Sequence, residues 1–185
     1  MAQPVRTVTD EVVVSYHRFN LEDADRNNVE EPPSHDWLPQ DNLTVRQGIV
    51  YMVSPGHTFS ALVTMQAWSE EPPMQPEGLW ETTADLEMVC RSGIVTTVNG
   101  TRDHRTAPLL LSDGPMVYHL RVNSRGHERM RELEGGGGIP EEGEEDRPGE
   151  EYLFQFWPAR PIPDELAPPS HPKRSPRVPD ALRQH

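Results

Sequence analysis

Histidines, a cysteine and paired carboxylates are the side chains here that could do chemistry, and their spacing decides which kind. A metal centre needs ligands at short repeats such as H-x3-H, HExxH or CxxC. None occurs among the eight histidines. His17, His35, His57, His104, His119 and His127 are scattered, and only His17 and His119 fall on segments that could form a cross-strand pair. No metal site is expected. Cys90 sits at the inward phase of an alternating segment, where cysteine behaves as a small hydrophobe. No base nearby in sequence would lower its thiol pKa, and no G-x-S-x-G presents a serine nucleophile.

The carboxylate pairs Glu30/Glu31, Glu70/Glu71, Glu141/Glu142 and Glu144/Glu145 lie in proline- and glycine-rich loops. General acid–base work needs carboxyls held at fixed geometry in a partly desolvated pocket, which such loops do not offer. The run "GGGG" precedes Ile-Pro-Glu-Glu, whose charge would repel a phosphate. The chain is therefore read as no enzyme, with no catalytic residue and no cofactor.

Contact chemistry is what remains. The stretch "GGGGIPEEGEEDRPGEE", 135–151, holds seven acids and one arginine. Its plainest role is a flexible, solvated loop, because glycines bring no side chain to pack and neighbouring like charges repel. Its functional role would be an acidic surface in which Glu141, Glu142, Glu144, Glu145 and Asp146 meet a basic partner, with an affinity that salt screens. Trp68, at the outward phase of its segment, and Trp157 would make an aromatic contact face unless the crossovers at 22–46 and 69–80 cover it.

The elements that position these residues have a period of two. In "HTFSALVTMQAWS" Phe59, Ala61, Val63, Met65 and Ala67 alternate with Thr58, Ser60, Thr64 and Gln66, the pattern of a half-buried strand. "TTADLEMVCR" and "PMVYHLRVNS" repeat it, and shorter candidates are 11–21, 48–54, 93–100, 108–112 and 151–157. "SPGH" (54–57) and "RSG" (91–93) read as tight hairpins, and "SDG" (112–114) as a further turn. Helical spacing is best in "HERMRELE" (127–134), with Gly135 as a stop. The fold class expected is an all-β, antiparallel β-sandwich of about eight strands with long proline-rich crossover loops. Its domain would span 1–157, with the acidic loop at 135–151. Residues 158–185 hold eight prolines and are expected to form a basic, disordered tail.

Composition limits the partners. A net charge of −13 argues against direct nucleic-acid binding, which needs clustered Lys and Arg, and favours a protein with a basic surface. The tail holds five basic and three acidic residues, which leaves −15 on residues 1–157. A single cysteine fits a reducing compartment. The N-terminus lacks the apolar core of a signal peptide, and no run of about 18 apolar residues suggests a membrane span. The cytoplasm is the expected location, with no membrane association. Neither the partner nor the oligomeric state can be read from these features.

The string "LLLSDGPMVYHLRVNSRG", followed after an acidic insert by "EEYLFQFWPA", resembles a group of uncharacterised actinobacterial proteins. Together with "VVVSYHRFNL" near the start, and "DW" and "GIV" further on, the order is similar to the competence protein J family. Those are small β-sandwich proteins that resemble inhibitors of a DNA-uptake nuclease. The likeness spans about residues 11–158, and the acidic insert and basic tail depart from it. It implies a non-catalytic binding protein of immunity or nuclease-inhibitor type, acting through acidic loops. The alternatives are a module that binds a small ligand or carbohydrate through Trp68 and Trp157, and a component that self-associates along an open sheet edge.

Overall fold

The alternating segments become strands because each can bury one face while its backbone bonds to neighbours on both sides. The computed structural model describes residues 3–30, 42–112, 114–136 and 149–162. Among the described residues ten strands run in chain order: β1 (Arg6–Ser15), β2 (Arg18–Asp23), β3 (Leu43–Arg46), β4 (Ile49–Val53), β5 (Thr58–Ala67), β6 (Thr82–Cys90), β7 (Ile94–Asn99), β8 (Leu109–Leu110), β9 (Met116–Arg125) and β10 (Glu151–Pro161). One helix, α1 (His127–Gly136), lies between β9 and β10, and a single 3-10 turn spans Arg26–Asn28. The described residues are thus mostly β.

All ten strands join one sheet, in the order β3-β4-β2-β1-β5-β10-β9-β6, with β7 branching from β2 and β8 from β7. The hinge is β1–β2, which pair only at Ser15 and Arg18 before diverging. β1 then runs along β5, whereas β2 lies between β4 and β7. The two terminal strands of the order, β3 and β6, approach each other, so the sheet curls into a nearly closed, barrel-like wall. A sandwich of two separate sheets is therefore not what the hydrogen bonding delivers. Nor is every pair antiparallel. β10 runs parallel to β5, from Glu151 beside Leu62 to Phe156 beside Ala67, and antiparallel to β9.

Three local expectations need correction. Residues 11–21 are not one strand: Tyr16 and His17 form a tight turn inside the apolar run, both at positive φ. "SPGH" and "RSG" are not hairpin turns, since β4 does not pair with β5, nor β6 with β7. Both carry the chain from one half of the sheet to the other. At the second crossing, Asp23 is fully buried and accepts the Arg91 amide at 2.6 Å and the Ser92 hydroxyl.

The core fills the inside of the wall. Val12, Val14, Phe19, Leu21, Met52, Ala61, Val63, Met65, Met88, Leu120, Tyr152, Phe154 and Phe156 form one buried cluster. On β5 the inward phase is the one read from the sequence, with Ala61, Val63, Met65 and Ala67 buried and Leu62, Thr64 and Gln66 half-buried. Among the described residues no helix is long and apolar enough to cross a membrane.

A buried polar cluster where the acidic segment joins the barrel

Strand β10 begins where the acidic segment ends, and its alternation sets what happens there. Tyr152, Phe154 and Phe156 point inward, so Glu150, two residues earlier, shares their phase. Its carboxylate is carried into the wall, 1% exposed. Burying a carboxyl without partners costs several kcal/mol, and here two side chains supply them. The Tyr152 hydroxyl donates to one carboxylate oxygen, and the Ser54 hydroxyl donates to the other at 2.8 Å. Ser54 Oγ in turn accepts the Gly56 amide at 2.9 Å. His127 Nε2 lies 3.1 Å from the Tyr152 oxygen. Because that hydroxyl proton is used on Glu150, the tyrosine oxygen accepts from Nε2–H, which assigns this histidine tautomer. His127 Nδ1 has no hydrogen-bond partner among the described residues.

Burial works against charge in this cluster. Burial pushes the Glu150 carboxyl up to about 7, opposed by the hydrogen bonds from Tyr152 and Ser54, while Glu81 adds to the rise. Burial lowers the His127 pKa, against the pull of Glu81. Desolvation also carries the Tyr152 pKa well above the ordinary phenol value, so its hydroxyl stays a donor. The arrangement is a hydrogen-bonded chain from His127 through Tyr152 and Glu150 to Ser54, holding helix, strand and loop together.

Two further contacts fix α1. Glu81 accepts the amides of Gly126, His127 and Glu128, at 2.7, 3.0 and 3.3 Å, which satisfies the free N–H groups at the start of the helix. At the other end Glu134 accepts the His57 amide at 2.7 Å. Gly149 packs so closely on Phe59 and Met130 that no side chain would fit there. An open cleft of about 430 Å³ beside the cluster is lined by Glu81, Arg125, Arg129, Glu150 and Glu151 among others.

The expected site residues are distributed differently. Glu141, Glu142, Glu144, Glu145 and Asp146 lie outside the described residues. Trp68 is only 9% exposed, and its indole nitrogen donates to Gln66 at 3.1 Å. Trp157 is half-buried, with the Arg121 guanidinium 5.2 Å from its ring centre and His119 at 5.3 Å. Arg121 is itself anchored by Asp85 and Glu71, both at 2.8 Å. His17 and His119 are not brought together: His17 meets His57 edge-on at 4.9 Å. Cys90 is fully buried, and desolvation pushes its thiol up to about 12, the wrong direction for a nucleophile. Among the described residues no group of three or more His, Cys, Asp or Glu could hold a metal ion.

No protein-family model matches the chain, and no curated protein matches it. Two solved structures share its architecture. ComJ from Bacillus subtilis, inhibitor of the DNA-degrading activity of NucA, superposes with a TM-score of 0.53 at 14% identity, over 86% of this chain and 99% of its own. The likeness is one of fold. The product of crocagin biosynthetic gene J gives 0.50 at 14% identity, over 84% of this chain and 100% of its own.

Glu150, Ser54, His127 and Tyr152 do not emerge as a group from motif spacing. The one available signal was the phase of "EEYLFQFW", which places Glu150 on the inward side with Tyr152. Ser54 and His127 are distant in sequence, and only the folded wall brings them in.

Proposed function

We propose that this chain is a non-catalytic, cytoplasmic binding protein of inhibitor type whose partner is a protein with a basic surface. The observation that carries this reading is the ComJ-like fold, which extends over 99% of the ComJ chain, a protein that inhibits a DNA-degrading enzyme. The net charge of −13 fits the same role, because an acidic surface speeds capture of a basic one and suppresses wrong partners. Glu141, Glu142, Glu144, Glu145 and Asp146 are the contact residues in this reading. They follow α1, whose own exposed carboxylates include Glu128, Glu132 and Glu134. A nuclease with a positively charged groove is the class of partner this chemistry suits. A ligand site built on Trp68 and Trp157 draws less support, since one indole is buried and hydrogen-bonded and the other lies against Arg121.

The test is capture by the immobilised chain from extracts of its source cells, followed by assay of the captured protein's activity with the chain added back. Changing the four glutamates to glutamine and Asp146 to asparagine should weaken binding at least tenfold and flatten its salt dependence. Undiminished affinity in that variant would remove the acidic segment from the interface.

A further inference from the structure

The tip of the β1–β2 hairpin carries a tyrosine that its backbone does not favour. Two-residue turns of this kind take positive φ at both central positions and are ordinarily Asn-Gly or Asp-Gly. Here they are Tyr16, at φ 53°, and His17, at φ 65°. The Tyr16 side chain is 62% exposed, so core packing does not offset the left-handed backbone. A strained position that keeps a large exposed aromatic points to use of that side chain.

The tip is also held in place. The His17 amide donates to the His57 carbonyl at 3.0 Å, and the Ser54 amide to the His17 carbonyl at 2.8 Å. The Tyr16 and His57 rings meet edge-on at 5.2 Å. The His57 amide is bound by the Glu134 carboxylate, exposed on the last turn of α1. The hairpin tip and α1 thus bring an exposed aromatic ring and an exposed carboxylate each into contact with His57.

We propose that Tyr16, with His17, His57 and Glu134, is the docking point for an arginine side chain of a basic protein partner. A planar guanidinium stacks on an aromatic face and pairs with a carboxylate, whereas a lysine ammonium offers no plane to stack. Complementarity with the chain's charge of −13 favours a cationic occupant over an apolar one. The inference rests on the reading of the chain as a binder of basic proteins and names where on the described surface such a partner engages.

The experiment uses the full chain with arginine and lysine homopeptides of equal length, and measures affinity by fluorescence anisotropy at about 0.15 M ionic strength. The arginine peptide should bind about two- to fivefold more tightly. Tyr16→Gly should erase that preference and leave the melting temperature undiminished, because glycine suits a positive φ. Equal affinities in the wild type, no binding of either peptide, or a preference that survives Tyr16→Gly would each overturn the docking point. The variant with five neutralised carboxylates separates the two readings. If it weakens both peptides while the preference survives Tyr16→Gly, the docking point alone fails. If it binds both as the wild type does while Tyr16→Gly erases the preference, the acidic-segment reading alone fails.

Discussion

Glu150 shows what a single buried carboxyl does to the pH response of the fold. Its folded pKa, about 7, stands above the ordinary carboxyl value of 4.5. Its contribution to stability is therefore fully present below pH 4.5 and is lost as pH rises through 7. His127 acts in the opposite sense: its lowered pKa gives stability above the ordinary imidazole value of 6.5 that is lost as pH falls. Below about pH 6.5 the two slopes oppose each other, so the clean window for Glu150 lies just above it. Glu150→Gln keeps an uncharged group facing Tyr152 and Ser54. It should leave stability nearly unchanged at about pH 4 and raise it by up to roughly 3 kcal/mol at about pH 8. Urea midpoints at the two pH values check this. Equal effects at both would mean that the carboxyl ionises freely in the fold. Cys90, by contrast, needs no partner chemistry, because its raised pKa and full burial make it an unreactive filler of the core.

Among the elements, the crossing between β6 and β7 depends most on one residue type. Gly93 sits at φ 73°, and a side chain there would run into the carbonyl of Ser112. Its own carbonyl accepts the Leu111 amide at 2.7 Å. Gly93→Ala must bear both the left-handed backbone and that clash, so it should cost about 2 kcal/mol or more. Thermal or denaturant unfolding measures the loss; a cost under half of that would show that the crossing relaxes easily. Gly78 is the contrast. It also has a positive φ, 78°, but nothing stands near its would-be side chain, so alanine there meets only the backbone preference.

At the scale of the molecule, the C-terminal strand holds the wall together. β10 bonds to β5 on one side and β9 on the other, and it supplies Tyr152, Phe154 and Phe156 to the core. Deleting residues 150–162 would leave two sheet edges unpaired and a cavity in place of three aromatic side chains. Such a chain should lose cooperative unfolding and bind hydrophobic dyes, as seen by near-UV circular dichroism and dye fluorescence; a sharp melt in the truncated chain would refute this. Because β5 and β10 are far apart in sequence, the parallel pairing forms against a large loop entropy, and slow folding is expected.

What the sequence determined by itself was local. Alternation in "HTFSALVTMQAWS" and "EYLFQFW" set which residues face inward, because side chains on an extended backbone can only alternate. The same local logic found α1 and the filler role of Cys90. It missed the turn at Tyr16–His17, since tyrosine is not a residue that positive φ normally selects. Only the tertiary structure decided that β10 enters parallel to β5, that "SPGH" and "RSG" change halves rather than form hairpins, and that Ser54, His127 and Glu150 share one hydrogen-bonded cluster. The reason is physical. Phase is a property of neighbouring residues, whereas partner choice depends on which distant surfaces bury the most apolar area with every polar group satisfied.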